Sequence, residues 1–126
     1  MKNERFERGL ETLRRVDPEI AANLMDRMQH LAPDLARFTI EFGFGDIMSR
    51  EALDLRTREL VNIGMLGAMG NSADQLRMHV RGALNTGASR TEIMEVILQI
   101  AGYAGFPAAY NALKVVAEVY QQQASE

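Results

Sequence analysis

The apolar residues of this 126-residue chain recur at helical spacing, not at the spacing of strands. The sequence has no alternating strand pattern and no Asn-Gly or Asp-Gly hairpin turn. Asp17-Pro18-Glu19 places an N-cap aspartate before a proline at the first helical position, which predicts a helix to about His30. The next segment restarts at Ala32-Pro33 and is followed by a short turn or helix from Ser49 to Leu53. Its rough apolar stripe comprises Leu35, Phe38, Phe42 and Ile47.

The segment from about Leu55 to Met69 is predicted to be a helix that becomes almost wholly apolar after its first turn. From Leu60 onward only Asn62 interrupts the apolar and small residues. A helix that is apolar on every side is expected to be buried on every side. Gly64, Gly67 and Gly70 recur along it and permit close packing.

Two capping boxes predict the starts of the following helices. Ser72 with Gln75 has the pattern S-x-x-Q and predicts a helix to about Asn85, which Gly87 ends. Ser89 with Glu92 has the pattern S-x-x-E and predicts a helix over about 91–104. Gly105-Phe106-Pro107 breaks that helix, and a last one runs over about 107–122. The sequence therefore predicts an all-α fold of six or seven helices in a single domain, 1–126.

The last two predicted helices carry more apolar side chains than one small core can hold. Subunit contacts are the simplest place for the surplus, since large exposed apolar patches are rare on monomers. The eight methionines fit such adaptable packing. We therefore expect a homo-oligomer, with a ligand channel as the less favoured alternative.

Composition narrows the classes of function. A net charge of −3 and a pI near 5.4 give no basic face for nucleic acid. The absence of cysteine excludes disulfides, thiolate metal sites and thiol redox chemistry. The charged N-terminus has no signal-like run and no stretch is apolar enough to span a membrane, so we expect a cytoplasmic protein.

Few side chains are candidates for chemistry. His79 lies at the edge of an apolar stripe, and Glu59 leads into the apolar face of its helix. Each also has a structural explanation, as a satisfied core histidine and as a glutamate that complements a helix dipole. Arg77 and Arg81 share a helical face and could hold a carboxylate, although such a pattern is usually solvated surface.

No metal or cofactor site is indicated. His30 and His79 lie on different predicted helices, and neither has the i, i+4 partner of a helical metal motif. The chain also lacks a glycine-rich phosphate loop. We therefore expect no metal site and no phosphate-binding loop.

Four short segments together resemble the carboxymuconolactone decarboxylase family, whose fold is shared with the AhpD-type alkylhydroperoxidases. They are R-E-L-V at 58–61, L-R-M-H at 76–79, G-A-S-R-T-E-I at 87–93 and Y-A-G-F-P-A-A at 103–109. The resemblance covers about residues 50–120. It implies an AhpD-like helical subunit that assembles into rings, commonly hexamers built as trimers of dimers.

The resemblance also assigns roles to residues. In the peroxidase branch a glutamate and a histidine relay protons to a C-x-x-C pair; Glu59 and His79 match those two positions, but Ser72 and Gln75 replace the cysteines. The redox branch is thus excluded, whereas the cofactor-free decarboxylase branch is not. Gln99 matches a position where relatives carry His or Gln and is expected beside the site.

The implied substrate is a small carboxylated lactone, 4-carboxymuconolactone, which loses carbon dioxide during the degradation of aromatic compounds and yields an enol-lactone. His79 would act as acid or oxyanion donor, Glu59 would orient it, and Arg77 or Arg81 would hold the remaining carboxylate. Two alternatives stay open. The chain could act on another small lactone or acid, or it could be a non-catalytic helical oligomer that binds a ligand.

Overall fold

The computed structural model describes residues 3–125 and is helical throughout, with no strand in that range. The all-α prediction is confirmed. Seven α-helices are interrupted once by a π-helix, π1. Their bounds are α1 Glu4–Val16, α2 Pro18–Met28, α3 Pro33–Phe38, π1 Thr39–Met48, α4 Leu55–Met69, α5 Ala73–Asn85, α6 Arg90–Ala104 and α7 Phe106–Ala124. The predicted short element after Ser49 is a turn.

The chain divides into two compact units, one ending at Leu55 and one beginning at Arg56. The N-terminal unit contains α1 to π1, and the C-terminal unit contains nearly all of α4 together with α5, α6 and α7. The prediction of a single domain over 1–126 stays a prediction, and Met1, Lys2 and Glu126 lie outside the described residues.

Helix α1 packs against π1 within the N-terminal unit. A Cβ added to Gly9 would lie 1.9 Å from the carbonyl oxygen of Ile40, so only glycine allows the two backbones to approach this closely. Phe6 and Leu13 of α1 are buried, as is Phe44 of π1. This helix was not predicted from the sequence, where residues 4–16 stood out only by their charge.

The start of α2 follows the sequence prediction. The carboxylate of Asp17 accepts a hydrogen bond from the backbone N–H of Ile20 at 3.1 Å, and Pro18 occupies the first turn. The helix ends at Met28, slightly before the predicted His30.

The apolar stripe predicted after Ala32-Pro33 is present but exposed. Leu35, Phe38 and Phe42 are all more than half exposed in the chain, whereas Ile40 and Phe44 are buried. The exposed Phe38 and Phe42 have the same four-residue spacing as the buried Ile40 and Phe44, so spacing alone does not identify the buried side.

The core of the C-terminal unit lies among all four of its helices. Its largest fully buried apolar side chains are Ile63, Val80, Ile93, Val116 and Val119. Gly67 permits close packing as predicted, because a Cβ there would lie 2.6 Å from Cδ1 of Ile100.

The expectation that α4 is buried on every side is wrong within this chain. Val61, Met65 and Met69 are 46%, 54% and 62% exposed, while Ile63 on the same helix is fully buried. The other helices of the unit cover only one side of α4, so the apolar residues on its remaining surface stay open in the isolated chain.

Only one of the two predicted capping boxes forms. Ser89 accepts from the N–H of Glu92 at 3.0 Å, and the Glu92 carboxylate accepts from the N–H of Ser89 at 2.9 Å. These contacts, together with Arg56, lower the pKa of the Glu92 carboxyl, the Ser89 backbone bond contributing most. The Ser72 box is wrong: the ψ of Ser72 is 45° and not extended, and its hydroxyl donates to Asn71 instead.

The surplus of apolar side chains on the last two helices is real. Leu98, Tyr103, Phe106 and Tyr110 are exposed, and Tyr103 reaches 92%. The glycine break between the helices is also confirmed, since Gly105 has a φ of +107°. In the part of the chain described, no helix has the length and apolar character needed to cross a bilayer. The oligomeric assembly and the cytoplasmic location stay predictions.

Candidate active site

Glu59 and His79 form a direct side-chain contact between α4 and α5. Nδ1 of His79 lies 3.0 Å from each carboxylate oxygen of Glu59. The Glu59 side chain is completely buried, and that of His79 is 16% exposed. The structure therefore brings together the two residues to which the family resemblance assigned catalysis.

The helical context explains how the pair is held. Glu59 is on the side of α4 that also carries the buried Ile63, one turn further along. His79 directly precedes the buried Val80 on α5, so its ring lies at the margin of the core. Glu59 thus directs its carboxylate across to a neighbouring helix, which a role in complementing the dipole of its own helix would not require.

Asn62 is a third polar member of this site. Its Nδ2 donates to Oε1 of Glu59 at 2.9 Å. In the sequence Asn62 stood out only as the interruption of an apolar run. The signal that could have identified it was its spacing, because residues three apart on a helix are neighbours on its surface.

The geometry defines which nitrogen of His79 is available for chemistry. An ionised Glu59 carboxylate can only accept hydrogen bonds, so a hydrogen bond in this contact requires the hydrogen on Nδ1 of His79. The other ring nitrogen, Nε2, points away from that contact. A neutral His79 therefore presents a basic Nε2, and a protonated His79 presents an acidic Nε2–H beside a carboxylate that stabilises its charge.

Arg77 is engaged with carboxylates of its own chain. Its Nη2 lies 2.7 Å from Glu118 on α7, and its Nη1 lies 3.0 Å from Asp74 one turn earlier on α5. The bond to Glu118 is the largest cause of the raised pKa of Arg77, followed by that to Asp74. Arg81 is half-buried one turn further along α5. A substrate carboxylate at Arg77 would therefore share the guanidinium with two acidic side chains.

Gln99 lines a groove between α4 and α6 that is separate from the Glu59–His79 contact. The groove has a volume of about 450 Å³, and its walls include Val61 and Gly64 of α4. Neither Glu59 nor His79 lines it. At about 3.6 residues per turn, Val61 and Glu59 lie on opposite sides of α4. The structure thus does not bring Gln99 together with the acid–base pair within this chain.

Within residues 3–125 no three side chains of the metal-binding types converge on one point. His30, the other histidine, is exposed and follows the end of α2. The polar centre described here is the arrangement of Glu59, His79 and Asn62.

Comparison with known proteins places the chain in a family. Residues 33–118 match the model of the carboxymuconolactone decarboxylase family, so the match begins at the start of α3. The chain is 35% identical to the 4-carboxymuconolactone decarboxylase of Acinetobacter baylyi over 119 residues, which cover 94% of this chain and 88% of that protein. The chain belongs to the carboxymuconolactone decarboxylase family.

Two further relatives show the breadth of the likeness. An uncharacterized 15.0 kDa protein of Paracoccus denitrificans is 38% identical over 119 residues, covering 94% of this chain and 89% of the relative. A nitrosuccinic acid decarboxylase of Metarhizium robertsii is 36% identical over 76 residues, covering 60% of this chain and 52% of that enzyme. Family membership is secure, and two of the three relatives are named as decarboxylases.

Proposed function

We propose that this protein is a cofactor-independent decarboxylase of the 4-carboxymuconolactone type. The observation that carries the proposal is the contact of His79 with the fully buried carboxylate of Glu59 at 3.0 Å. Such a pair can hold a proton donor at a fixed position beside a substrate. Kinship with the Acinetobacter baylyi decarboxylase supports the choice of substrate.

The proposed substrate needs little help beyond a positioned acid. Its carboxylate leaves as carbon dioxide, and the bonding electron pair spreads through the adjacent alkene into the lactone carbonyl. A proton then adds to the ring carbon and gives the enol-lactone, so one proton is consumed for each carbon dioxide released. Because the lactone itself accepts the electron pair, no pyridoxal phosphate, thiamine or metal is required.

The residues divide this work between them. His79 donates from Nε2, either to the ring carbon or to the lactone oxygen on which charge develops. Glu59 accepts a hydrogen bond from Nδ1–H and stabilises the protonated ring before His79 transfers its proton to the substrate. The partly exposed edge of His79 is the part of the pair that a substrate can reach, since Glu59 has no exposed surface.

The remaining carboxylate of the substrate needs a cationic partner. We assign this role to Arg81 or Arg77, which lie one turn apart on α5, the helix that carries His79. Arg77 also contacts Glu118 and Asp74, so a substrate carboxylate there would share its guanidinium with these acidic side chains. Gln99 would contribute to the substrate site only if assembly placed its groove beside the pair of another subunit.

The name of the Metarhizium robertsii relative suggests a second candidate class of substrate. A nitro group, like a conjugated lactone, can accept the electron pair that a departing carboxylate leaves behind. Another small acid with a built-in electron acceptor is therefore the second candidate substrate. It would use the same proton donor, His79.

We further propose that the active form is a homo-oligomer, with a hexamer built as a trimer of dimers as the expected size. The exposed apolar residues of α4, α6 and α7 support assembly, because solvent exposure of so many large side chains is unfavourable. Subunit contacts would bury these side chains and enclose the grooves between them.

The decisive experiment measures carbon dioxide release from 4-carboxymuconolactone by the purified protein after dialysis against a chelator. We expect turnover by the wild-type protein. His79→Ala should lower kcat by about a hundredfold or more, the usual cost of losing a positioned acid. His30→Ala is the matched control, because His30 is exposed and should leave the rate unchanged.

Each contrary result has a distinct meaning. Absence of turnover of the lactone and of a nitro-substituted acid by the wild-type protein would refute the proposed activity and favour the non-catalytic oligomer. Turnover with near-normal rates in His79→Ala would refute the mechanism and keep the substrate. Activity that disappears on chelation and returns with metal would refute cofactor independence.

A further inference from the structure

We infer that Asn62 is a positioning residue that holds the Glu59 carboxylate in the orientation from which it fixes His79. The inference deepens the proposed function and rests on it for its kinetic consequence. Its structural consequence, the position of the proton on the His79 ring, is independent of any substrate.

The contacts define a chain of two hydrogen bonds. Nδ2 of Asn62 donates to Oε1 of Glu59 at 2.9 Å, and Nδ1 of His79 lies 3.0 Å from both Oε1 and Oε2. Only the nitrogen end of the Asn62 amide can serve here, because its oxygen would face another acceptor. Asn62 and Glu59 are three residues apart on α4, so the helix backbone sets their separation.

The equal distances from His79 to the two carboxylate oxygens explain why a third group matters. A carboxylate that meets one donor symmetrically can turn about its last torsion angle with little change in that contact. The bond from Asn62 goes to Oε1 and not to Oε2, so it removes this freedom of rotation. It also supplies a second donor to a charge that has lost all contact with water.

A fixed carboxylate in turn fixes the proton on His79. While Glu59 faces Nδ1, the neutral ring keeps its hydrogen on Nδ1 and its lone pair on Nε2. If Glu59 can turn away, the hydrogen can move to Nε2. Nε2 would then already carry a hydrogen, so it could not take up the proton that the next turnover consumes.

The competing explanation is that Asn62 is merely a satisfied polar side chain within an apolar helix. Under that explanation its replacement changes stability but not the state of the His79 ring. The tautomer of His79 therefore separates the two roles.

The chain has two histidines, so the NMR signals of each ring can be assigned. Long-range proton–nitrogen NMR spectra of the ¹⁵N-labelled full-length protein, recorded at a pH where the rings are neutral, report which nitrogen carries hydrogen. His30→Ala assigns the signals. We expect His79 to be protonated on Nδ1 in the wild-type protein. In Asn62→Leu, which removes the donor, signals of the Nε2–H form should appear.

Two variants control for changes in packing. Asn62→Ala removes the donor with a smaller side chain, and it should bring out the same Nε2–H signals as Asn62→Leu. Asn111→Leu makes the same substitution at an exposed position on α7 and should leave the His79 signals unchanged. If Asn62→Leu does not fold, Asn62→Ala provides the same comparison.

The kinetic prediction is a fall in kcat of about tenfold in Asn62→Leu with little change in KM, less than the loss on removing His79. A wild-type Nδ1–H tautomer that persists in both Asn62 variants would overturn the inference. So would an unchanged kcat in a protein that turns over substrate. If the wild-type protein has no activity but the tautomer responds as described, the positioning role stands and the proposed function fails.

Discussion

A carboxylate without exposed surface, such as that of Glu59, is stable only where donors replace the water it has lost. Two donors do so here, the Asn62 amide and Nδ1 of His79. Removing either leaves a buried charge less well compensated, so these three residues are expected to respond to substitution as one unit.

Glu59→Gln should therefore lower kcat less than His79→Ala does. The amide keeps the shape and some hydrogen bonding but removes the charge that stabilises a protonated His79. In the double variant the rate should be little lower than in His79→Ala alone, because Glu59 acts through the histidine. Kinetics of the two single variants and the double variant form the required cycle. Losses that multiply would show that the two residues act separately.

Four short motifs in the sequence led to Glu59 and His79. The sequence did not show the bond of Asn62 to Glu59 or the ion pair of Arg77 with Glu118. The bond of Asn62 to Glu59 is local and its helical spacing was readable. The engagement of Arg77 by Glu118 was not, because the two residues are 41 positions apart and meet only through the packing of α5 against α7. Long-range ion pairs of this kind are a property of the fold.

At the scale of the helices, prediction succeeded where the signal was local. Asp17-Pro18 starts α2, the Ser89–Glu92 box starts α6, and Gly105 separates α6 from α7. The π-helix and the identity of its buried side were missed, since the exposed Phe38 and Phe42 have the same spacing as the buried Ile40 and Phe44. The failed Ser72 box shows that a capping motif also needs an extended N-cap backbone, which the adjoining turn does not provide.

The two serines offer a matched test of capping. Ser89→Ala should destabilise the protein by about 0.5–2 kcal/mol, since it removes the side-chain acceptor for the N–H of Glu92. Ser72→Ala should change stability by less than about 0.5 kcal/mol, because its hydroxyl bonds only to Asn71 in the contacts described. Denaturant unfolding of both variants makes the comparison. Equal losses would show that Ser72 caps α5 in solution.

At the scale of the whole molecule, the chain exposes apolar surface that its own helices do not cover. The sequence pattern of α4 correctly indicated a mostly apolar helix. The three other helices of its unit do not cover all of its sides. Val61 and Met65 remain open as a result, as do Tyr103 and Tyr110 on α6 and α7. Burial predicted from periodicity assumes a partner surface, and that surface need not belong to the same chain.

Assembly can be tested on those two tyrosines. In dilute buffer the wild-type protein should scatter light as a species several times the 14.1 kDa subunit mass, with a hexamer expected. Tyr103→Lys with Tyr110→Lys places charges on the exposed apolar surface and should shift the protein toward smaller species. Gln121→Lys with Gln122→Lys adds the same charge at exposed polar positions of α7 and should keep the wild-type mass. A wild-type species at the subunit mass would contradict assembly. A tyrosine variant that keeps the wild-type mass would show that the subunit contacts do not involve these two tyrosines.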